Sequence, residues 1–390
     1  MSKRKRRTVT RNQKEHKGKS LLSSIVYIGL YLILFYPPYF RGLFFTREQL
    51  LTHLFSFTIF GLWWFEKRKR GEYSFFHCKA EYIIIGFVIA YFASIFISVN
   101  VRNAIGGFLK VSNYFLLYWL VADIVWKSHR HVDKFLNIML LSAFGVALIG
   151  IGSAAGTWQY TGTLVGGRIA STLQYPNTTA VYMISLLMVS LAQWVLQNTN
   201  EIYSYIYGAA SYVLFITFLF TQSRGALLVL PLALVALFYL LPKGFRVKCA
   251  CATFNVLVVT VITAPLFAKA LRQGTGVFVW SAVILGVLLV VGIERGFNTI
   301  AQQSRKTILV STAVVVIIAL FIGGIYINRT LNAPIILGRS PGSGDAWNVV
   351  EQVIRDLESG RQYVLTANIK AQDEGQESPY AWRIVVRATD

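Results

Sequence analysis

Apolar runs of about twenty residues recur along almost the whole chain, separated by short polar connections. A helix of that length crosses a hydrocarbon core of roughly 30 Å, and only helices or closed barrels satisfy every backbone group in lipid. The runs lack the alternation of barrel strands. The pattern therefore predicts an all-α polytopic membrane protein with about eleven spans. These are Leu21–Phe40, Leu50–Phe65, Tyr82–Val99, Ile105–Trp126, Phe135–Ala155, Thr179–Gln197, Ile202–Phe220, Ala226–Leu241, Val247–Ala268, Val277–Ile293 and Thr307–Ile327.

Composition and charge agree with a membrane protein. The 390 residues are 55% hydrophobic and only 14% charged, with a mean hydropathy of +0.53. Soluble domains usually carry about 25% charged residues, so a water-solvated fold of this size is disfavoured. The expected partner is the lipid bilayer.

The basic residues indicate the orientation of the chain. The net charge is +21, and the Lys and Arg residues concentrate in residues 1–20 and in alternate connections near 67–79, 127–134, 243–248 and 295–306. Because Lys and Arg collect on the cytoplasmic side of membranes, residues 1–20 are predicted to be cytoplasmic. The run from Lys3 to Arg7 is then the basic flank of the first span, and no nucleic acid partner is expected.

The chain changes character after Ile327. Residues 21–327 form the predicted transmembrane helical domain, whereas residues 328–390 are polar and are predicted to be an extracytoplasmic β-rich tail. Three segments, Trp347–Leu357, Gln362–Ala371 and Tyr380–Ala388, have a strand-like pattern, although a helix is an alternative for the first. The stretch from Trp347 to Ala371 resembles the middle of a jelly-roll carbohydrate-binding module. Because such a module needs more strands, a chain truncated at its carboxyl end is expected.

Cysteine and histidine do not form a recognisable ligand pattern. Cys78, Cys249 and Cys251 are too few for a disulfide framework and lie on the predicted cytoplasmic side, where thiols stay reduced. His129 and His131 are interpreted as part of a solvated inner connection. Neither a metal nor a cofactor is expected.

Polar groups on the predicted outer side are few before the tail. They occur in the long connection from Gly156 to Thr179, in the tight connection from Thr221 to Ala226, and at Lys269 and Arg272. An arginine between two apolar runs, as Arg224 is, costs about 2.5–3.5 kcal/mol at the membrane centre. Arg224 therefore either has a ligand, for which phosphate oxygens suit the planar guanidinium, or snorkels to lipid headgroups. The residues alone leave both possibilities open.

Two short motifs carry a family resemblance. Arg168 is followed by Pro176-Asn177 in the long outer connection, and Ser223-Arg224-Gly225-Ala226 then opens an apolar span. This order resembles the O-antigen ligase and O-antigen polymerase (Wzy-like) superfamily, over roughly Tyr114 to Ile327. The resemblance implies a metal-independent membrane glycosyltransferase of the bacterial cytoplasmic (inner) membrane. It would move or polymerise glycan from a polyprenyl (undecaprenyl) diphosphate carrier onto an acceptor sugar or lipid at the outer face, in cell-envelope polysaccharide biosynthesis.

The same resemblance assigns roles to individual residues. Arg168 and Arg224 match the family's diphosphate-binding arginines. Beyond the resemblance, Arg272 is a further candidate cation, and four residues near the two arginines are expected to contact the substrate: Tyr175, Asn177, Gln222 and Ser223. The family's base is a histidine in a later outer loop, which this sequence lacks, so the catalytic base is unknown and His53 is a weak candidate.

Two other functions remain open at this point. A transporter or flippase of lipid-linked glycan predicts polar residues inside several spans, as Lys110, Asn113 and Asp123 suggest for the fourth. A non-catalytic membrane anchor that displays a sugar-binding tail is the third possibility.

Overall fold

The computed structural model describes residues 21–74, 76–196 and 201–300, with side chains as far as 296, and these form an all-α bundle. Ten long helices run in alternating directions, joined mostly by short connections. They are α1 (Leu21–Phe35), α2 (Thr46–Lys69), α3 (Ala80–Ser94), α4 (Val101–Lys127), α5 (Arg130–Ala154), α6 (Pro176–Leu196), α7 (Glu201–Phe220), α8 (Arg224–Leu240), α9 (Lys243–Arg272) and α10 (Gly276–Ile300).

Eight segments within this bundle are helical, long and apolar enough to cross a membrane, which identifies an all-α membrane protein. The two helices outside this set coincide with the predicted spans Leu50–Phe65 and Ala226–Leu241. Of these, α2 carries Arg47 and Glu48 at one end and Glu66–Lys69 at the other, and α8 has only 17 residues. The predicted eleventh span Thr307–Ile327, the predicted β-rich tail 328–390 and residues 1–20 lie outside the described residues.

The buried side chains form two hydrophobic clusters. The larger involves α5 to α10, with α7 at its centre, where residues such as Tyr212, Leu214 and Ile216 are fully buried. The smaller joins α1, α2 and α4 around Trp63 and Trp119. Tyr39, which follows α1 in the chain, packs on the larger cluster, and its hydroxyl donates to the carbonyl of Ser142 on α5 at 3.1 Å. In contrast, α3 packs mainly on α4.

Because the helices alternate in direction, the bundle has two ends. We call one the site end. It contains the connections 36–45, 98–100, 155–175, 221–223 and 273–275. The other, the opposite end, contains the connections 70–79, 128–129 and 241–242.

Ion pairs at the opposite end join α2, α4 and the connection 70–79. The ammonium of Lys67 lies 2.6 Å from a carboxylate oxygen of Asp123, and both side chains are 1% exposed. The same oxygen lies 3.2 Å from Nε2 of His77, and the other carboxylate oxygen lies 3.1 Å from Lys127. Buried charges persist in proteins when they are paired in this way. The charge of Asp123, which the sequence analysis associated with a transporter, is therefore paired with cations inside the bundle.

Gly286 of α10 allows close contact with α7. A Cβ atom at this position would lie 2.0 Å from Cζ of the fully buried Tyr212, whose hydroxyl is 2.9 Å from Oγ1 of Thr263. We expect Gly286→Ala to destabilise the bundle by about 1–3 kcal/mol, because a fixed tyrosine must move. Its melting temperature in detergent should fall by roughly 2–4 °C for each kcal/mol.

Gly292→Ala is the matched control, since Gly292 is exposed on the same helix and a Cβ there meets no atom within 4 Å. Equal melting temperatures for the two variants would contradict the close contact.

Candidate functional site

A two-residue turn determines where Arg168 lies. Strand β1 (Leu164–Val165) pairs antiparallel with β2 (Arg168–Ile169), and the pair Val165 and Arg168 flanks the turn. The turn residues Gly166 and Gly167 have φ angles of 58° and 72°. Positive φ at both central positions defines the turn type that best matches the twist of a hairpin, and glycine adopts it without strain. Arg168 therefore follows the turn directly.

Hydrogen bonds attach this hairpin to the helices. The carbonyl of Thr163 accepts from the amides of Ala170 and Ser171 at 2.8 and 2.9 Å. The buried hydroxyl of Ser171 donates to the carbonyl of Val146 on α5 at 2.5 Å, and that of Thr179 on α6 donates to the carbonyl of Ala170. An irregular loop at the end of a helical bundle needs such partners for its buried polar groups. Arg168 is consequently held on a fixed backbone.

The Arg168 side chain bridges the starts of two helices. Its Nε donates to the carbonyl of Thr221 at 2.8 Å, just before α8, and an Nη2 hydrogen goes to Oδ1 of Asn177 in the first turn of α6 at 3.0 Å. Nδ2 of Asn177 in turn donates to the hydroxyl of Tyr175 at 3.3 Å. A guanidinium has five N–H groups, so Arg168 retains donors that bind no described residue.

Arg224 is the first residue of α8 and comes three residues after Thr221, whose carbonyl accepts from Arg168. Ser223 is its N-cap, with a hydroxyl that accepts from the amide of Ala226 at 3.5 Å. The Arg224 side chain is exposed and makes no hydrogen bond or ion pair with any residue that the structure describes. Helix N-termini carry a partial positive charge and free amides, so the starts of α6 and α8 add to the two arginines. Together they form an electropositive site.

The charges around this site are not balanced by the described part of the chain. Burial, and to a smaller extent the nearby charge of Arg224, lowers the pKa of Arg168, while Tyr175 acts in the opposite direction. Among the described acidic residues only Glu48 lies at the site end. The others, Glu66, Glu72, Glu81, Asp123, Asp133, Glu201 and Glu294, lie at the opposite end. A bound anion would therefore stabilise the two guanidinium groups.

Unusual backbone conformations concentrate at the site end. All the described non-glycine residues with positive φ lie there, namely Arg41, Leu43, Ser171, Gln174 and Gln222. The turn at 41–43 packs on the segment 171–173, since a Cβ at Gly42 would lie 3.2 Å from Leu173. Such conformations cost of order 1–3 kcal/mol each and cluster at functional sites. Their location supports a site here.

A shallow apolar groove begins at Asn177, the hydrogen-bond partner of Arg168. It has a volume of about 520 Å³, is widely open to the surroundings, and has an almost wholly apolar wall. The lining residues Asn177, Thr178, Val181, Tyr182 and Ser185 recur at helical spacing, so they form one face of α6. The groove thus runs from Asn177, which contacts Arg168, along the exposed face of α6 as far as Ser185, near the midpoint of the helix.

The other site residues predicted from the sequence also lie at the site end, but they differ in exposure and in their contacts. Tyr175 and Gln222 are exposed beside it, while Ser223 is nearly buried and its hydroxyl caps α8. Arg272 ends α9 at the same end. Gly276, the first residue of α10 after the connection 273–275, packs on the carbonyl of Ala155. No hydrogen bond or ion pair in the described structure joins Arg272 to Arg168 or Arg224.

No described hydrogen bond or ion pair joins His53 to Arg168 or Arg224. His53 is 6% exposed on α2, stacks on Phe57 with ring centroids 6.2 Å apart, and its Nδ1 has no hydrogen-bond partner among the described residues. No described carboxylate or imidazole is hydrogen-bonded or ion-paired with Arg168 or Arg224. Within residues 21–74, 76–196 and 201–300, no three His, Cys, Asp and Glu residues are grouped to hold a metal.

Two determinants of the site were missed in the sequence. The Gly166-Gly167 pair, between Leu164-Val165 and Arg168-Ile169, is a hairpin signal that identifies Arg168 as a turn-flanking residue. The carbonyl of Thr221 has no side-chain signature, because any residue supplies the same acceptor. The contact between Arg168 and the start of α8 therefore required the structure.

Comparison with known proteins adds no relative: no family model, curated protein or solved structure matches this chain. The site must be interpreted from its own geometry.

We expect the site to bind inorganic pyrophosphate through Arg168. Arg168→Lys keeps the charge, but a single ammonium cannot contact Thr221 and Asn177 and also present a planar fork to phosphate oxygens. The pyrophosphate dissociation constant, measured by calorimetry on the chain in nanodiscs, should rise about tenfold, or about 1.4 kcal/mol.

Arg102→Lys provides the control, because Arg102 is an exposed arginine at the same end of the bundle. Unchanged pyrophosphate affinity in Arg168→Lys would show that Arg168 does not bind the anion.

Proposed function

We propose that this chain is an O-antigen ligase-like membrane glycosyltransferase. It would transfer or polymerise glycan from a polyprenyl diphosphate carrier onto an acceptor sugar or lipid, at the outer face of the cytoplasmic membrane. The site end would then face outward, with the ion pairs around Asp123 on the cytoplasmic side.

One observation carries this proposal: an electropositive site and an apolar groove meet at Asn177. Oδ1 of Asn177 accepts from Arg168 at 3.0 Å, and the same residue lines the groove that continues past Val181 to Ser185. A polyprenyl diphosphate has the same arrangement, with an anionic head joined to an apolar chain. Its head would contact Arg168 and Arg224, and its first isoprene units would lie along α6.

The residues suit the charge changes of such a transfer. The bond between the anomeric carbon and the diphosphate breaks, a bond to the acceptor oxygen forms, and the acceptor hydroxyl loses its proton to a base. Negative charge grows on the departing diphosphate. Preorganised donors directed at growing charge stabilise the transition state, and Arg168 is preorganised by Thr221 and Asn177. Arg224 is free in the described structure to approach the same oxygens.

The first test compares glycan transfer by wild-type, Arg168→Ala and Arg224→Ala chains in liposomes with a polyprenyl diphosphate donor. Loss of one such donor costs about 10²–10³-fold in turnover, and we expect losses of that size for both variants. Arg102→Ala should transfer like the wild type.

Three outcomes distinguish the possible functions. Arginine-dependent transfer supports the proposal. Arginine-dependent donor binding or translocation without transfer would favour an accessory protein or a transporter instead. Folded wild-type chain that neither transfers glycan nor binds donor through the arginines would refute the proposed enzyme.

A second test blocks the groove without touching the arginines. Val181→Trp should fill the space beside Tyr182 and raise the KM for a polyprenyl donor, whereas the affinity for inorganic pyrophosphate should not change. Val229→Trp on α8 is the matched control, since Val181 and Val229 are 57% and 53% exposed. Equal KM values for the two variants would contradict lipid binding in the groove.

A further inference from the structure

Two tryptophans meet at the site end, outside the arginine site. Trp158 follows α5 and Trp280 lies in the first turns of α10, with ring centroids 5.6 Å apart at an angle of 61°. Although Trp158 packs on its neighbours, it remains 46% exposed. The segment 156–163 that carries it leads directly to the hairpin of Arg168.

The Trp158 ring is held in a fixed position. The amides of Thr157 and Trp158 both donate to the carbonyl of Gly152, at 2.9 and 3.2 Å. The ring lies on Gly152 itself, since a Cβ atom there would be 2.3 Å from Cε3 of Trp158. Nε1 of Trp280 donates to Oγ1 of Thr157 at 3.1 Å, which fixes the second ring against the same segment.

The segment next to Trp158 is polar, whereas Val277 and Phe278 beside Trp280 are exposed apolar residues. Gln159, Tyr160 and Thr161 are exposed next to Trp158 in the chain. The Tyr160 ring is 43% exposed, and its hydroxyl donates to the carbonyl of Tyr39 at 3.1 Å, so it too is fixed. The segment thus combines immobile aromatic rings with exposed amide and hydroxyl groups.

We propose that Trp158, Tyr160 and Trp280 form a binding platform for the pyranose rings of a glycan. The face of an aromatic ring has a negative electrostatic potential, and the C–H groups on one face of a sugar carry partial positive charge. The two faces therefore stack. The neighbouring amide and hydroxyl groups can bind sugar hydroxyls. Because packing and hydrogen bonds already restrain the rings, stacking on a sugar costs less conformational entropy than it would for free side chains.

A membrane-interface anchor does not account for this arrangement. Interfacial tryptophans act through the amphipathic character of the ring and need no glycine beneath them. Here Gly152 creates the space for one ring and Thr157 binds the other. The inference rests on the proposed function only for the source of the glycan. Binding of free oligosaccharide is a separate property.

The test uses the full chain in nanodiscs and four soluble probes, namely cellopentaose, chitopentaose, maltopentaose and xylopentaose. Binding is read from saturation-transfer NMR signals of the sugar protons, which do not depend on protein fluorescence. We expect at least one probe to bind the wild type. Its signal should fall at least fivefold in Trp158→Leu and in Gly152→Ala, the latter because the new Cβ displaces the ring.

Trp126→Leu is the control for the loss of an exposed tryptophan, since Trp126 is 64% exposed at the opposite end. Gly86→Ala is the control for the glycine, as a Cβ there meets no atom within 4 Å. Both should bind like the wild type. Should Gly152→Ala fail to fold, as judged by its melting temperature, Trp158→Leu alone decides.

Arg168→Ala separates this inference from the proposed enzyme. Free oligosaccharide should still bind to that variant even though transfer is lost. Failure of all four probes to bind the wild type, or unchanged binding in Trp158→Leu, would overturn the platform while leaving the arginine site untouched.

Discussion

The bridge made by Arg168 is the contact on which the site end depends. One guanidinium joins the hairpin, the start of α6 and the carbonyl before α8. Each of these elements can bind an anion. The hairpin provides the guanidinium of Arg168, α6 provides the backbone amides of its first turn, and α8 provides Arg224. The two helices also pack on each other, and the bridge adds a polar contact between their starts. The proposed diphosphate site is therefore a property of the packing between elements, and not of one motif.

Much of the helical architecture was predictable, because a membrane span leaves a strong signal. Apolar runs located all ten described helices, although α2 and α8 are not among the eight that are long and apolar enough to cross a membrane. The site was predictable only in part. Arg168, Asn177 and Arg224 were named as candidates from the family resemblance, but their motifs do not encode the carbonyl of Thr221 or the groove along α6. Those features depend on how helices distant in sequence pack.

The distribution of charge gives the two ends different physical roles. At the opposite end, the buried Lys67 has a carboxylate beside it and serves the packing of α2 on α4. At the site end, the described cations greatly outnumber the single carboxylate Glu48, and unusual backbone conformations accumulate. The excess of cations and the unusual backbone conformations both raise the free energy of the unliganded protein. An anionic ligand would lower it by neutralising the cations. Ligand binding and the stability of this end are therefore coupled.

The groove along α6 has a consequence for how the proposed carrier is selected. Its lining extends from Asn177 to Ser185, which lie eight positions apart on α6. That distance along the helix is roughly 12 Å. A long polyprenyl chain seated there contacts protein only over its first few isoprene units, and the remainder lies among lipid tails. The protein would then discriminate strongly at the diphosphate end of the carrier and hardly at all in its total length. Carriers of quite different chain lengths would be interchangeable as substrates, whereas a change in the number of phosphates would not be tolerated.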